Sequence, residues 1–250
     1  MIQPRDYKTF NKPKKIVNDD GKIGSPWDIT FGKDGVWEMT DRSNHCVYIF
    51  DSQDRLIRKF GQRGANNGQF NNPRGVSFDA NNHLYVADNN NRVQKFDVNG
   101  AYLLQFGQYG SANGQLNYPV GIVVHNDKVF VAESDNHRVS GFYLNGQFSH
   151  IIGLGQLSNP WGIAVTSIDQ LLVADINNNC IFRFTLDGTY VDKFEGNNCV
   201  SVFDKDGVFL HSFGSNGSAE GQFSSPYGIA ISPNNDVYVT DYNNKRVQIF

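Results

Sequence analysis

Phe70-Asn71-Asn72-Pro73-Arg74-Gly75-Val76-Ser77-Phe78, then His83-Leu84-Tyr85-Val86-Ala87-Asp88, then Arg92-Val93-Gln94-Lys95-Phe96, decides the fold of this chain. Pro73 ends a loop, and Gly75 allows backbone to approach closely at a crowded place. Val76 and Phe78 alternate with Ser77, as in a half-buried strand. Asn81-Asn82 make a turn, and residues 83–87 read as a second, largely buried strand closed by Asp88. Asn89-Asn90-Asn91 form the next loop, where Asn side chains bond nearby backbone and tolerate left-handed conformations. Arg92–Phe96 alternates again as a third strand, and Asp97-Val98-Asn99-Gly100 is a hairpin turn. Ala101 to Phe106 is the fourth strand, released by Gly107.

The same phrase recurs along all 250 residues. Strand-like runs end at Phe50, Phe96, Phe142, Phe184, Phe203 and Phe250, with gaps of 46, 46, 42, 19 and 47. Pro26, Pro73, Pro119, Pro160 and Pro226 mark the first strands, and Asp41, Asp88, Glu133, Asp175 and Asp241 close the second ones. A period in the forties with four short strands per unit specifies a β-propeller. The copy ending at Phe203 keeps only its third strand and hairpin (197–214) and lacks its first two strands. The expectation is therefore an all-β, six-bladed propeller with one blade half missing. Residues 1–23 form a lead-in, in which Thr9 to Val17 supplies the closing strand of the last blade, and residues 24–250 form the propeller.

Composition narrows the function. Charged residues are 19% and the formal net charge is −3, so no global basic field calls for nucleic acid, and DNA is not expected as a partner. No apolar run reaches the length of a membrane span, and the N-terminus has no apolar signal core. Three scattered Cys make no disulfide framework, which leads to an expected cytoplasmic setting.

Candidate site residues follow from topology. The loop before strand one and the loop between strands two and three share one face of a blade. The residue after each marking Pro is Trp27, Arg74, Val120, Trp161 or Tyr227, and Asp28 stands where other copies have Gly. These indoles, the phenol and the guanidinium suit base stacking or the grip of a peptide; alternatively, the rings pack between blades. Arg92, Arg138 and Arg246 open three third strands, where Cys46, Cys180 and Cys199 open the others. Each Arg either meets phosphate or pairs with the acid before it. His45, His137 and Lys245 precede this position and add polar contacts. The Cys fan out around a ring, too far apart for zinc, and no His set recurs on the Pro loops. No metal, cofactor or catalytic residue is expected. No phosphate-binding Gly loop opens a helix, and Gly61, Gly64 and Gly68 repeat as Gly107, Gly110 and Gly114.

These repeats resemble NHL repeats. Asn-Pro-Arg-Gly-Val (72–76), Leu-Tyr-Val-Ala-Asp (84–88), Asn-His-Arg-Val (136–139) and Asp-Tyr-Asn-Asn-Lys-Arg-Val-Gln-Ile-Phe (241–250) carry the likeness. Arg5-Asp6-Tyr7-Lys8, Lys12-Pro13-Lys14 and Pro26-Trp27 look like the lead-in of the NHL domain in tripartite-motif proteins. That resemblance implies a C-terminal propeller behind RING, B-box and coiled-coil modules, binding RNA or protein within a ubiquitin ligase. No Cys/His cluster for a RING stands in these residues. The expectation is a non-catalytic module that binds RNA on the Pro-x-Gly face. The alternative is a protein-binding propeller that presents a ligase substrate, and the third reading is a metal-dependent hydrolase or lyase.

Overall fold

The computed structural model describes residues 15–17, 21–32, 35–166, 168–178, 180–195, 200–203, 209–213, 215, 217–224, 226–231 and 237–249. Among them, strand β1 (Lys15–Val17) precedes four consecutive meanders. Blade one is β2 (Pro26–Phe31), β3 (Trp37–Asp41), β4 (Cys46–Phe50) and β5 (Leu56–Phe60). Blade two is β6 (Val76–Phe78), β7 (Leu84–Asp88), β8 (Arg92–Phe96) and β9 (Tyr102–Phe106). Blade three is β10 (Pro119–His125), β11 (Lys128–Glu133), β12 (Arg138–Tyr143) and β13 (Phe148–Ile152). Blade four is β14 (Pro160–Val165), β15 (Gln170–Asp175), β16 (Cys180–Thr185) and β17 (Tyr190–Glu195). A hairpin, β18 (Val200–Phe203) and β19 (Phe209–Phe213), follows. Blade five is β20 (Pro226–Ile231), β21 (Val237–Asp241) and β22 (Arg246–Ile249), completed by β1, which runs antiparallel to β22 with Lys15 opposite Ile249.

The molecule is an all-β propeller of five blades, not six. The half repeat makes only a two-stranded sheet, pairing Val200 with Phe213 and Phe203 with Phe209. Without inner strands a hairpin has no edge to line the axis, so it does not constitute a blade. The expected strand over Thr9 to Lys14, and Asn197 to Cys199, lie outside the described residues.

The core sits between blades. One apolar cluster joins blades five and one around Trp37, Tyr48, Phe50 and Tyr238. A second joins one and two around Val47, Phe70, Val86 and Phe96. A third joins two and three around Tyr85, Phe106, Val129 and Phe142. The fourth joins three and four around Phe130, Leu171, Phe182 and Phe184. The recurrent Phe that ends the third strand is thus an inter-blade anchor: Phe50, Phe96, Phe142 and Phe184 are each at most 1% exposed. Burying one such side chain contributes roughly 1.5–3 kcal/mol. Among the described residues no equivalent cluster joins blade four to blade five.

Candidate functional site

The inner strands β20, β2, β6, β10 and β14 follow one another around the axis. Glycine chemistry reports how tightly they sit. A Cβ on Gly75 would lie 2.5 Å from the Val120 carbonyl oxygen, and one on Gly121 would lie 2.1 Å from that of Trp161. One on Gly228 would lie 2.7 Å from the Asp28 Cα. At Gly162, in contrast, the nearest atom is the Ala174 Cβ at 3.6 Å, within its own blade. By this measure the ring is close-packed at three of its junctions, Asp28 bonds across a fourth, and among the described residues a seam is left between blades four and five.

Three of the residues that follow the marking prolines converge over that seam. Trp27 stacks on Tyr227 at 4.3 Å between ring centroids, Trp161 lies 5.5 Å from Trp27, and Trp161 and Tyr227 are 5.3 Å apart. Tyr242 meets Trp27 and Tyr227 edge-on. Trp27 is 4% exposed, whereas Tyr227 is 38% exposed and offers one face to solvent. Beneath them opens a cavity of about 310 Å³, lined by Trp27, Val120, Trp161, Tyr227, three of the glycines, and Leu172, Ala174 and Ile181 of blade four. The lining is apolar except for Asp28.

Asp28 accepts hydrogen bonds from Ile29 N at 2.9 Å and from Val76 N at 3.0 Å, so it ties blade one to blade two. Burial raises its carboxyl to about 7, against the pull of those two amides. Arg74 is fully buried at the remaining position of the proline-marked ring. Its guanidinium lies 3.4 Å from the Tyr118 ring centroid and 5.5 Å from that of Trp27. Among the described residues none of its three nitrogens has a hydrogen-bond partner. Burial pulls its pKa down to about 10; Arg42 lowers it too, while Tyr118 and Asp135 oppose the fall.

The other sequence candidates lie elsewhere and are held by structural contacts. Arg138 Nε donates to Glu133 at 2.8 Å, and its other nitrogens donate to the carbonyls of Ser111, Ala112 and Gln115. Arg92 does the same with Asp88, Ala65, Asn66 and Gln69. Arg246 does so with Asp241, Ala219 and Gln222. These guanidiniums staple the long Gly-rich loop that leads into each blade. The signal was in the sequence: Arg occurs where that loop is long (61–70, 107–116, 214–223), and Cys180 where it is short (153–157). Cys46 and Cys180 are buried thiols, and burial pushes that of Cys46 up to about 12.

His45 and His137 latch neighbouring blades. Both adopt positive φ, 53° and 54°. His45 Nδ1 accepts from Asn72 N at 3.0 Å, and burial and Arg63 lower its pKa, in keeping with a neutral acceptor. His137 Nδ1 donates to the Ser158 carbonyl. Asn91 fills the same role, accepting from Tyr118 N at 3.0 Å. Lys245 is exposed in the last turn. Among the described residues, no three His, Cys, Asp or Glu side chains gather as metal ligands would.

No curated protein sequence matches the chain. Solved structures similar to it share its fold. A streptogramin B lyase is 15% identical, with 94% of this chain and 97% of that one covered and a TM-score of 0.62. The gluconolactonase XC5397 from Xanthomonas campestris is 13% identical, with 91% and 87% covered and a TM-score of 0.68. A chain of a nidogen/laminin complex is 15% identical, with 88% and 73% covered and a TM-score of 0.60. At these identities the likeness concerns fold alone. It still corrects one expectation: the absence of catalysis does not follow from this architecture, because a lyase and a lactonase are built on it. The NHL repeat family matches residues 70–96, 116–142, 157–184 and 223–250. Together with the blade architecture around the aromatic cavity, these matches make the chain a β-propeller that carries NHL repeats.

Proposed function

We propose that this propeller is a recognition module that holds a protein partner by seating an apolar side chain of the partner in the axial cavity. The observation that carries this reading is the Trp27–Trp161–Tyr227 cluster over an apolar cavity of about 310 Å³. Aromatic walls with a bordering arginine are what binding hot spots use. A protein partner is favoured over RNA because Arg92, Arg138 and Arg246, the expected phosphate contacts, are spent on carboxylates and loop carbonyls. In this reading the chain acts as the propellers of tripartite-motif proteins do, presenting a bound protein to a ligase in the cytoplasm.

Affinity capture from a lysate digested with ribonuclease tests it. Trp161→Ala and Tyr227→Ala are expected to lose the same captured proteins, while Leu103→Ala, on the outer strand β9, keeps them. Identical capture by all three would sink the reading, as would Trp161-dependent retention of RNA in the undigested lysate alone.

A catalytic second reading rests on Asp28. A carboxyl held near 7 inside a cavity is poised for general acid–base work. Turnover of lactone or ester substrates that disappears in Asp28→Asn would establish it, and equal rates in both proteins would end it.

A further inference from the structure

Four of the five residues that follow the marking prolines, Trp27, Val120, Trp161 and Tyr227, line the axial cavity. The fifth is Arg74, 0% exposed, with all three guanidinium nitrogens unpartnered. A buried cation without acceptors is costly, so such residues are paired in nearly every protein. Arg74 lies against the ring faces of Tyr118 and Trp27, which favour the charge, and Tyr118 and Asp135 add an electrostatic pull that leaves its pKa still below the usual value. A second guanidinium, Arg42, stands over the same Trp27 ring at 5.2 Å and donates to the Tyr242 hydroxyl at 3.0 Å. Two arginines therefore stand against Trp27, a wall residue of the apolar cavity, without lining the cavity themselves. Asp28 is bound to two amides, and Asp41 accepts from Gly24 N, Ser25 N and Asn44 N; Asp135, exposed, acts on Arg74 only through its charge.

We infer that the axial cavity takes the carboxyl terminus of a partner polypeptide, its last apolar side chain under the aromatic cluster and its terminal carboxylate on Arg74, with Arg42 in support. The inference rests on the cavity being the partner site proposed above and specifies its ligand. Charge complementarity selects the anion: a planar fork of N–H donors matches a carboxylate bidentately. Geometry selects the chain end, since a cavity walled by inner strands admits a terminus more readily than a passing segment. The depressed proton affinity of Arg74 is the same cost viewed electrostatically, and a carboxylate would remove it. Tyr118, half-buried over the guanidinium, is the ring that moves aside on binding.

Three peptides separate the possibilities by isothermal titration on the full chain: N-acetyl-Ala-Phe with a free carboxylate, the same peptide as its carboxamide, and N-acetyl-Glu-Phe carboxamide. The free acid is expected to bind about tenfold or more tightly than its carboxamide, the worth of a charge-assisted hydrogen bond. Arg74→Gln is expected to abolish that preference, and an unchanged far-UV circular dichroism spectrum shows that the variant folds. Arg42→Gln is expected to reduce the preference in part. Equal binding of acid and carboxamide by the wild type overturns the inference and leaves the cavity reading intact. Equal binding of the free acid and the internal-Glu peptide overturns the chain end. Binding of none of the three peptides, or binding indifferent to Trp161→Ala, overturns both. Arg74-dependent binding of a decameric oligouridylate instead of the peptides assigns the arginine to phosphate and overturns the carboxylate.

Discussion

Replacing Arg74 with methionine is expected to make the propeller more stable. Arg74 is wholly buried, and its guanidinium has no acceptor. Burial pulls its pKa from 12.5 to about 10. At about 1.36 kcal/mol per pKa unit, holding the charge costs roughly 3 kcal/mol. The folded value lies below the unfolded one, so the cost is present at every pH below about 10 and fades only as pH climbs from there toward 12.5. The Tyr118 face returns about 2 kcal/mol of cation–π attraction, leaving a net penalty on the order of 1 kcal/mol. Methionine has a similar reach and no charge, so Arg74→Met removes both terms and keeps the packing. For a chain of this size the gain corresponds to a rise in Tm of roughly 2–4 °C. Differential scanning calorimetry at pH 7 reads it directly. A fall in Tm of more than about 4 °C would refute the reasoning, because the guanidinium would then be a net stabiliser rather than a charge kept for a ligand. Stability gained together with loss of the carboxylate preference is the signature of a residue retained for binding.

Glu38 is 4% exposed, and its Oε2 has no partner; burial lifts its pKa to about 8 despite Arg58. Folded, it keeps its proton while the unfolded chain loses one from about 4.5 upward, so Glu38 makes stability fall between these values. Glu38→Gln should match the wild type in urea melts at pH 4 and exceed it at pH 8; a difference independent of pH would contradict this. Arg138→Ala strips the cation from Glu133, which is 0% exposed and keeps only the neutral donors Asn117 N, Asn136 and Ser140, and is expected to cost about 3–5 kcal/mol in the same melts. A loss under about 1 kcal/mol would show that neither the ion pair nor the donations to the loop carbonyls hold the blade. Trp27 emission should titrate with a midpoint near 7 as Asp28 ionises below it. Asp28→Asn should flatten that curve, and an unchanged midpoint would assign the transition to another group.

The blade was legible residue by residue. Third strands expected from alternation at Arg92–Phe96 and second strands ending in Asp88 are found at those residues, because a period of two with one buried face fixes both strand and register. The proline-marked loops were legible as one face for the same reason. Two things were not. Repeat counting assigned the 197–214 copy to a sixth blade, but a blade needs inner strands to reach the axis, and only pairing reveals that β18 and β19 stand alone. The arginines were ambiguous, because a guanidinium reads alike in sequence whether it meets phosphate or a carbonyl twenty-odd residues back.

The sequence alone determined the NHL-type strand grammar, the recurrent phenylalanines that end the third strands and the set of residues after the prolines, since all follow from local periodicity. Tertiary structure decided which arginines are occupied and which is not. Arg92, Arg138 and Arg246 sit beside an acid on their own blade, whereas Arg74 is buried against the rings of Tyr118 and Trp27. It also decided that the seam between blades four and five opens a cavity, because among the described residues the apolar face of blade four has no inner strand against it and the three rings that bridge the gap come from residues up to 200 positions apart, from Trp27 to Tyr227.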